Sequence, residues 1–209
     1  MKQNISKKHE DAVSPVIGVM LMLVVTIIVA AFVTAFSSGL VDTESTAPVA
    51  YLDVEILANQ GDTHDQYVLN IKHMGGDVLD TADLKIISDY SYDDYNADTQ
   101  KVTPVRTSST ITPATARTKI IMSPTEIYAR VPYLSDITVG DPSHPDVQFG
   151  AFDLEPGDVM TTGTSIGTYK VIGGANSVTK GFGVGSKVDI SIVHTPSDTI
   201  IFNEEVRVQ

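Results

Sequence analysis

The feature that most constrains this chain is a long uncharged segment close to its N-terminus. Residues 12–41 contain no Asp, Glu, Lys, Arg or His, and between Val16 and Phe36 the only polar side chains are Thr26 and Thr34. A helix of about 20 apolar residues is what crosses a bilayer, so this segment predicts a membrane-spanning helix. Because no polar stripe runs through it, the helix is apolar on every side.

Local signals indicate where this helix begins and ends. Ser14 offers a hydroxyl N-cap, and Pro15 suits the first helical position, where no backbone N–H is required. The Ser-Ser-Gly sequence at 37–39 favours a stop. We therefore predict a helix over residues 15–38, roughly 36 Å long at about 1.5 Å per residue, which spans a bilayer with some tilt.

Charge predicts the orientation of the helix and excludes several classes of function. Lys2, Lys7 and Lys8 precede the apolar segment, whereas the chain beyond Asp42 is acidic and the formal net charge is -12. The basic end should stay cytoplasmic while the remainder crosses the membrane. An acidic surface repels phosphate backbones, which argues against nucleic-acid binding. The chain has no Cys, so disulfides, thiolate zinc sites and cysteine nucleophiles are excluded.

Two interpretations of the N-terminal segment follow from its length and charge. A cleaved secretory signal would use the small residues around Val33 and Ala35 and leave Phe36 at the new terminus, but the apolar run exceeds the usual signal core. A signal anchor would instead keep Met1 and hold an outside domain at the membrane.

A third interpretation comes from resemblance. Residues 11–22, Asp-Ala-Val-Ser-Pro-Val-Ile-Gly-Val-Met-Leu-Met, resemble the N-terminus of archaeal type IV pilins, in which a short charged leader precedes a Val-Ser-Pro-Val-Ile-Gly run. The resemblance implies that prepilin peptidase cuts between Ala12 and Val13, so that the whole apolar helix stays on the mature chain. It departs from bacterial pilins at the fifth mature position, where Ile17 replaces a Glu thought to guide docking. The usual archaellin opening is also missing, which favours an adhesive pilus over an archaellum-like filament.

The resemblance also implies partners and a mode of action. The chain would form a helical homopolymer through its N-terminal helix, driven by an assembly ATPase and a membrane platform protein, first as a membrane precursor and then as an extracellular surface filament. Three later patches are also similar to this family, namely residues 73–85, which contain Gly-Gly-Asp, residues 154–158 and residues 193–197. The positions expected to carry processing and polymerisation are Ala12, Val13, Ser14, Pro15, Val16, Ile17, Gly18, Val24, Ile28 and Gly39.

Beyond residue 42 the hydrophobic period changes to two. Apolar and polar residues alternate in 52–56, 67–72, 188–193 and 200–208, and Gly and Pro separate these runs at short intervals. Such a pattern predicts an antiparallel β-sandwich with an immunoglobulin-like topology and no further amphipathic helix. The predicted fold class is therefore α+β, a long N-terminal hydrophobic helix followed by a β-sandwich head. The predicted bounds are 1–12 for a cleaved leader, 13–41 for the membrane and filament-core helix, 42–49 for a linker and 50–209 for the head.

No catalytic, cofactor or metal motif emerges from the sequence. The five His lack metal-ligand spacing, and no nucleophile elbow or phosphate-binding glycine loop is present. We interpret residues 89–98, which hold four Asp and three Tyr, as a solvated acidic loop, with Ca²⁺ binding as an alternative. Residues 107–118 are predicted as an exposed loop or edge strand, and 163–185 as flexible strands and turns. Besides a pilin, the sequence leaves open a monomeric membrane-anchored extracellular binding domain.

Overall fold

A computed structural model of the chain describes residues 15–39, 46–58, 67–96, 98, 100–121, 126–136, 138, 140–174 and 182–209. The chain divides into two compact units, residues 1–44 and 45–209. The first unit is helical where it is described, and the second, which we call the head, is mainly antiparallel β-sheet. The predicted α+β class, with an N-terminal apolar helix followed by antiparallel strands, is confirmed.

The N-terminal helix, α1, runs from Pro15 to Gly39. It begins at the proline that the sequence places at the first helical position, and it ends one residue beyond the predicted stop. The span Val16–Phe36 is long and apolar enough to cross a membrane. The predicted spanning helix is therefore confirmed in position and length.

The head is built from short strands and one short helix. In chain order they are β1 (Ala50–Ala58), β2 (Tyr67–Gly76), β3 (Leu79–Asp80), β4 (Leu84–Asn96), β5 (Lys101–Ile111), β6 (Arg117–Ile121), β7 (Ile127–Arg130), β8 (Tyr133–Leu134), β9 (Asp153–Leu154), β10 (Val159–Thr161), α2 (Ser165–Ile172), β11 (Lys187–His194) and β12 (Thr199–Arg207). The alternating runs at 52–56, 67–72 and 188–193 lie in these strands, as predicted, and the run at 200–208 lies in β12 up to its last residue, Arg207.

Two four-stranded sheets dominate the head. The first sheet has the order β1-β2-β10-β8, and the second sheet has the order β12-β11-β4-β5. Two smaller ladders pair β3 with β9 and β6 with β7, and every ladder between these strands is antiparallel. The second sheet therefore has β12 and β5 as its two edge strands.

Both four-stranded sheets contribute to one hydrophobic core. Its buried side chains include Val54, Ile56, Leu69, Ile71 and Met160 from the first sheet and Ile86, Ile111, Val188, Ile190 and Ile192 from the second. The first and last strands tie the sheets together, because Gln209 N donates to Ile56 O at 2.9 Å and Ala58 N donates to Gln209 O at 2.8 Å. The immunoglobulin-like topology stays a prediction.

Helix α2 corrects the prediction for residues 163–185. Its sequence, Ser-Ile-Gly-Thr-Tyr-Lys-Val-Ile, is rich in β-branched residues and reads poorly as a helix. Tertiary packing overrides that weak propensity, since Val171 and Ile172 are buried and a Cβ on Gly167 would lie 2.4 Å from Thr162 O. The helix begins after Thr164, whose side chain accepts from Gly167 N, and ends at Gly173, which has φ of 81°.

The Asp- and Tyr-rich segment 89–98 is not a loop over most of its length. It forms the second half of β4 and pairs with β5 from Asp89 opposite Ser108 to Asn96 opposite Lys101. Tyr90 is only 6% exposed, because its ring packs against Tyr92 and Phe182. The solvated-loop interpretation is wrong, since residues 89–96 form a paired strand and Tyr90 and Tyr92 take part in packing the head. The edge-strand alternative for residues 107–111 is confirmed by their place in β5.

Candidate assembly element

Helix α1 carries the largest exposed apolar surface in the described part of the chain. Every large hydrophobic side chain from Val16 to Phe36 is at least 48% exposed, the lowest value belonging to Ile28 and the highest, 70%, to Met22 and Phe36. Between Val16 and Phe36, no turn of the helix offers a polar face that water could solvate. A surface of this kind requires an apolar environment, either lipid or other copies of the same helix.

The two threonine hydroxyls of α1 are satisfied inside the helix. Thr26 Oγ1 donates to Leu23 O at 2.8 Å, and Thr34 Oγ1 donates to Ala30 O at 2.8 Å. A hydroxyl transferred to an apolar medium without a hydrogen bond costs about 2–7 kcal/mol, and these bonds remove that penalty. The helix can therefore enter lipid or a helical bundle without an unpaired donor at either threonine.

The structure places most of the predicted polymerisation residues on α1. Pro15, Val16, Ile17, Gly18, Val24, Ile28 and Gly39 all lie in it. A Cβ on Gly18 would meet no atom within 4 Å, so its backbone is open to close approach by another helix. Ala12, Val13 and Ser14 lie outside the described residues, as do residues 42–45 of the predicted linker. Their processing and linker roles stay predictions.

Where the chain enters the head, one residue holds both backbone groups of Val49. Asp77 N donates to Val49 O at 2.8 Å, and Val49 N donates to Asp77 Oδ2 at 2.9 Å. We call this pair of bonds the clamp. Val49 directly precedes β1, so the last residue of the predicted linker belongs to the hydrogen-bonded structure of the head.

Sequence reasoning noticed the Gly-Gly-Asp motif but missed what it does. Gly76 has φ of 109°, and a Cβ there would lie 2.3 Å from Val49 O. His73, which is 1% exposed, donates through Nε2 to Asp77 O at 2.9 Å. The motif therefore brings a turn, a buried imidazole and a carboxylate to the point of chain entry. The available signal in the sequence was a glycine followed by Asp, but the spacing of these residues does not reveal that Asp77 contacts Val49.

Both edge strands of the second sheet carry residues that oppose pairing with another sheet. Pro104 lies within β5 and has no N–H to donate. Glu204 in β12 stands opposite Ile190 of β11, which is fully buried. The two side chains lie on the same face of the sheet, so Glu204 places a charge on the core-facing side at the edge, where it is exposed. Prolines and inward charges on edge strands are devices that block edge-to-edge aggregation. The head is thus equipped to stay discrete at high local concentration.

A row of three carboxylates crosses the second sheet. Asp189 in β11 pairs in register with Asp89 of β4 on one side and Glu205 of β12 on the other. Directly opposite residues point to the same face, and like charges in that arrangement destabilise a sheet. The outer two are offset by cations, with Arg106 Nε 3.5 Å from Asp89 Oδ1 and Lys187 Nζ 2.6 Å from Glu205 Oε1.

We expect Asp189→Asn to stabilise the head. Neutralising the middle carboxylate removes two repulsions, which should raise the free energy of unfolding by about 0.5–1 kcal/mol at low salt. The gain should shrink as salt approaches about 1 M, where screening acts within about 3 Å. The measurement is urea unfolding of the full chain in detergent at two salt concentrations. Asp53→Asn is the matched control, because Asp53 stands opposite Lys72 and its neutralisation should not stabilise. Equal effects of the two variants would contradict the repulsion argument.

The head also carries a surface groove beside the Tyr-rich part of β4. The groove has a volume of about 510 Å³ and is lined by Tyr90, Ser91, Tyr92, Asp93, Pro104, Gly185, Ser186 and Lys187. Burial raises the pKa of Tyr90, whose hydroxyl bonds to Ser186. Among the residues that the structure describes, no group of three His, Asp or Glu has the geometry to hold a metal ion.

Comparison with known proteins adds independent information on the N-terminal segment. Residues 11–52 match the family described as archaeal type IV pilin, N-terminal. The match covers the predicted processing junction, all of α1 and the start of β1, and it confirms the resemblance drawn from residues 11–22. The chain thus has an N-terminal segment similar to that of archaeal type IV pilins.

A curated relative was also found in Archaeoglobus fulgidus. It is described as an uncharacterized protein and is 36% identical to this chain over 81 residues, which are 39% of this chain and 54% of the relative. The chain spans about half the length of the curated relative that it matches.

Proposed function

We propose that this chain is the structural subunit of an archaeal type IV pilus-like surface filament, which polymerises through α1. The observation that carries the proposal is the exposure of α1, whose large apolar side chains are all at least 48% exposed along a 25-residue helix. The similarity of residues 11–52 to the archaeal type IV pilin N-terminal family supports the interpretation of this helix as a binding element for copies of itself. The action of the protein is assembly, with no catalytic step.

The energetics of α1 support a helix that exchanges one apolar environment for another. Covering such a helix removes roughly 2,000 Å² from water, worth tens of kcal/mol at about 25 cal/mol per Å². Lipid and a bundle of sister helices both provide that cover, so the two states are close in free energy. External work by an assembly ATPase acting through a membrane platform protein can then move the subunit from membrane to filament.

Maturation fits the same scheme. Prepilin peptidase would remove residues 1–12 by cutting between Ala12 and Val13, leaving the apolar helix on the mature chain. The precursor would reside in the cell membrane, and the assembled subunit would form an extracellular filament with residues 50–209 on its surface. Attachment to surfaces is the role we assign to the exposed head.

The edge strands of the second sheet support a subunit in which α1, and not the head, drives polymerisation. Pro104 in β5 and Glu204 in β12 oppose strand-to-strand association, so the drive to polymerise is left to α1. A subunit built this way can be packed densely on a filament without its heads aggregating into sheets.

The mature N-terminus tests the proposal. We expect N-terminal sequencing of sheared cell-surface material to begin at Val13, and negative-stain microscopy of the same material to show filaments. A terminus at Phe36 would indicate a secreted domain that lacks α1, and a terminus at Met1 in a non-filamentous membrane fraction would indicate a simple anchor. Either result would overturn the proposal.

A membrane-anchored binding domain is the second candidate, and the groove lined by Tyr92 and Asp93 is the observation that favours it. The two functions differ in what the intact chain does alone. A binding domain stays monomeric in the membrane and never appears in sheared filaments. The microscopy above therefore separates them.

A further inference from the structure

We propose that Asp77 is a positioning residue for filament function, because its clamp on Val49 fixes the point at which α1 pulls on the head. This inference rests on the proposed function. In a filament held together by helices, any load on a head reaches the core through the residues that join the head to its helix. The first residue of that connection with backbone bonds to a remote part of the head is the one that takes the load.

Val49 is that residue in the described part of the connection. Residues 46–49 have no regular secondary structure, and Val49 itself is 65% exposed. Apolar packing of its side chain therefore holds it weakly. Its two bonds to Asp77, at 2.8 Å and 2.9 Å, reach 28 positions along the sequence and fasten it to the turn that follows β2.

The way in which the clamp forms explains why the residue is an aspartate. Ala50 pairs with Gly76 at the end of the β1–β2 ladder, so Val49 and Asp77 are the next residues in line. In an antiparallel ladder two such residues can exchange both N–H to C=O bonds. Here Asp77 N donates to Val49 O, but Asp77 O accepts from His73 Nε2 at 2.9 Å. The carboxylate Oδ2 of Asp77 accepts the N–H of Val49 in place of that carbonyl.

His73 and Gly76 support the clamp from opposite sides. His73 is buried, and in the described structure its Nδ1 has no hydrogen-bond partner, so the ring is held in place through the Nε2 bond to Asp77 O. Gly76 lets the two backbones approach, since any Cβ there would meet Val49 O and Ala50 Cα. The load on Val49 thus passes through Asp77 to a residue in the hydrophobic interior of the first sheet.

The matched variants are Asp77→Ala and Asp80→Ala. Asp80 is a nearby exposed aspartate whose Oδ1 accepts from Ala82 N at 2.8 Å, so both variants remove one carboxylate-to-backbone bond. Only Asp77 touches Val49. Asp77→Asn is the conservative variant, because its amide oxygen can still accept from Val49 N.

The experiment uses the full chain expressed in a host that assembles filaments from it. Hydrogen exchange at the amide of Val49 and thermal unfolding report on the clamp and on head stability. Filament length after graded shearing reports on the mechanical load that the filaments withstand. For Asp77→Ala we expect exchange at Val49 to rise at least tenfold and filaments to break at several-fold lower shear. Asp80→Ala and Asp77→Asn should match the wild type in both.

Three outcomes would overturn the inference. The first is that Asp77→Ala filaments resist shear as well as Asp80→Ala filaments. The second is that shear resistance follows the unfolding temperature across all variants, which would reduce Asp77 to a stability residue. If Asp77→Ala does not fold, Asp77→Glu, which moves the carboxylate by one methylene, replaces it in the experiment. The third outcome that would overturn the inference is then that Asp77→Glu filaments have normal shear resistance although the amide of Val49 exchanges fast. Absence of filaments from the wild-type chain would instead contradict the proposed function itself.

Discussion

Replacing Val24 by Asp is expected to abolish filaments while leaving the head folded. Val24 lies near the middle of α1 and is 52% exposed, so its side chain faces whatever surrounds the helix. An Asp at the centre of a spanning helix costs about 2.5–3.5 kcal/mol, which the remaining apolar residues offset, so the precursor still enters the membrane. In a bundle of identical helices every copy brings an unpaired charge to the interface, where no partner neutralises it.

The expected size follows from the repulsion between copies, which an isolated precursor in lipid does not experience. Two like charges about 5 Å apart repel by about 3 kcal/mol at an effective dielectric constant of about 20, and at about 1.4 kcal/mol per tenfold this lowers the assembled fraction at least about 100-fold. Ile28→Asp should behave alike, because Ile28 lies one turn further along α1. The measurement is the ratio of sheared to membrane-bound subunit on an immunoblot, with protease resistance of the head as the folding check.

Val184→Asp is the matched control for that experiment. It is the same substitution at a head residue that is 69% exposed, and it should leave assembly unchanged. Wild-type filament yield from Val24→Asp would contradict assembly through α1. Loss of filaments from both variants would show that the assay responds to added charge anywhere on the subunit.

The sequence predicted α1 and the main strands correctly, because each of these elements depends on local signals. The helix is defined by an uncharged run between Pro15 and Gly39, and strands such as β1 and β11 by strict alternation. Periodicity of this kind survives in the fold because one face of each strand must enter the core. These elements could therefore be placed to within a few residues.

Sequence reasoning failed where long-range contacts decide the outcome. Helix α2 forms because buried hydroxyls fix it, with Leu69 N donating to Thr162 Oγ1 at 3.0 Å and Thr168 Oγ1 donating to Tyr67 O at 2.8 Å. Neither bond is visible in the local pattern of residues 163–185. The tyrosines of β4 were misread for the same reason, because the composition of residues 89–98 hides the partner strand that pairs with them. The clamp between Val49 and Asp77 also depends on a contact that spacing does not reveal.

The second large effect is expected from Gly76→Ala, which should destabilise the head by about 2–5 kcal/mol. Gly76 has φ of 109°, where a residue with a Cβ is strained by about 1–2 kcal/mol. The added Cβ would also lie 2.3 Å from Val49 O and 2.8 Å from Ala50 Cα. Those atoms belong to the backbone and cannot rotate away, so the chain must shift, which adds about 1–3 kcal/mol or more.

Gly157→Ala separates the two contributions. Gly157 has φ of 104°, close to that of Gly76, but a Cβ there would meet nothing within 4 Å. It should therefore cost only the conformational strain of about 1–2 kcal/mol. Urea unfolding of the full chain in detergent, with hydrogen exchange at Val49, compares the two variants. If Gly157→Ala destabilised the head as much as Gly76→Ala, strain alone would account for both. The close approach of Gly76 to Val49 would then play no part in holding the chain where it enters the head.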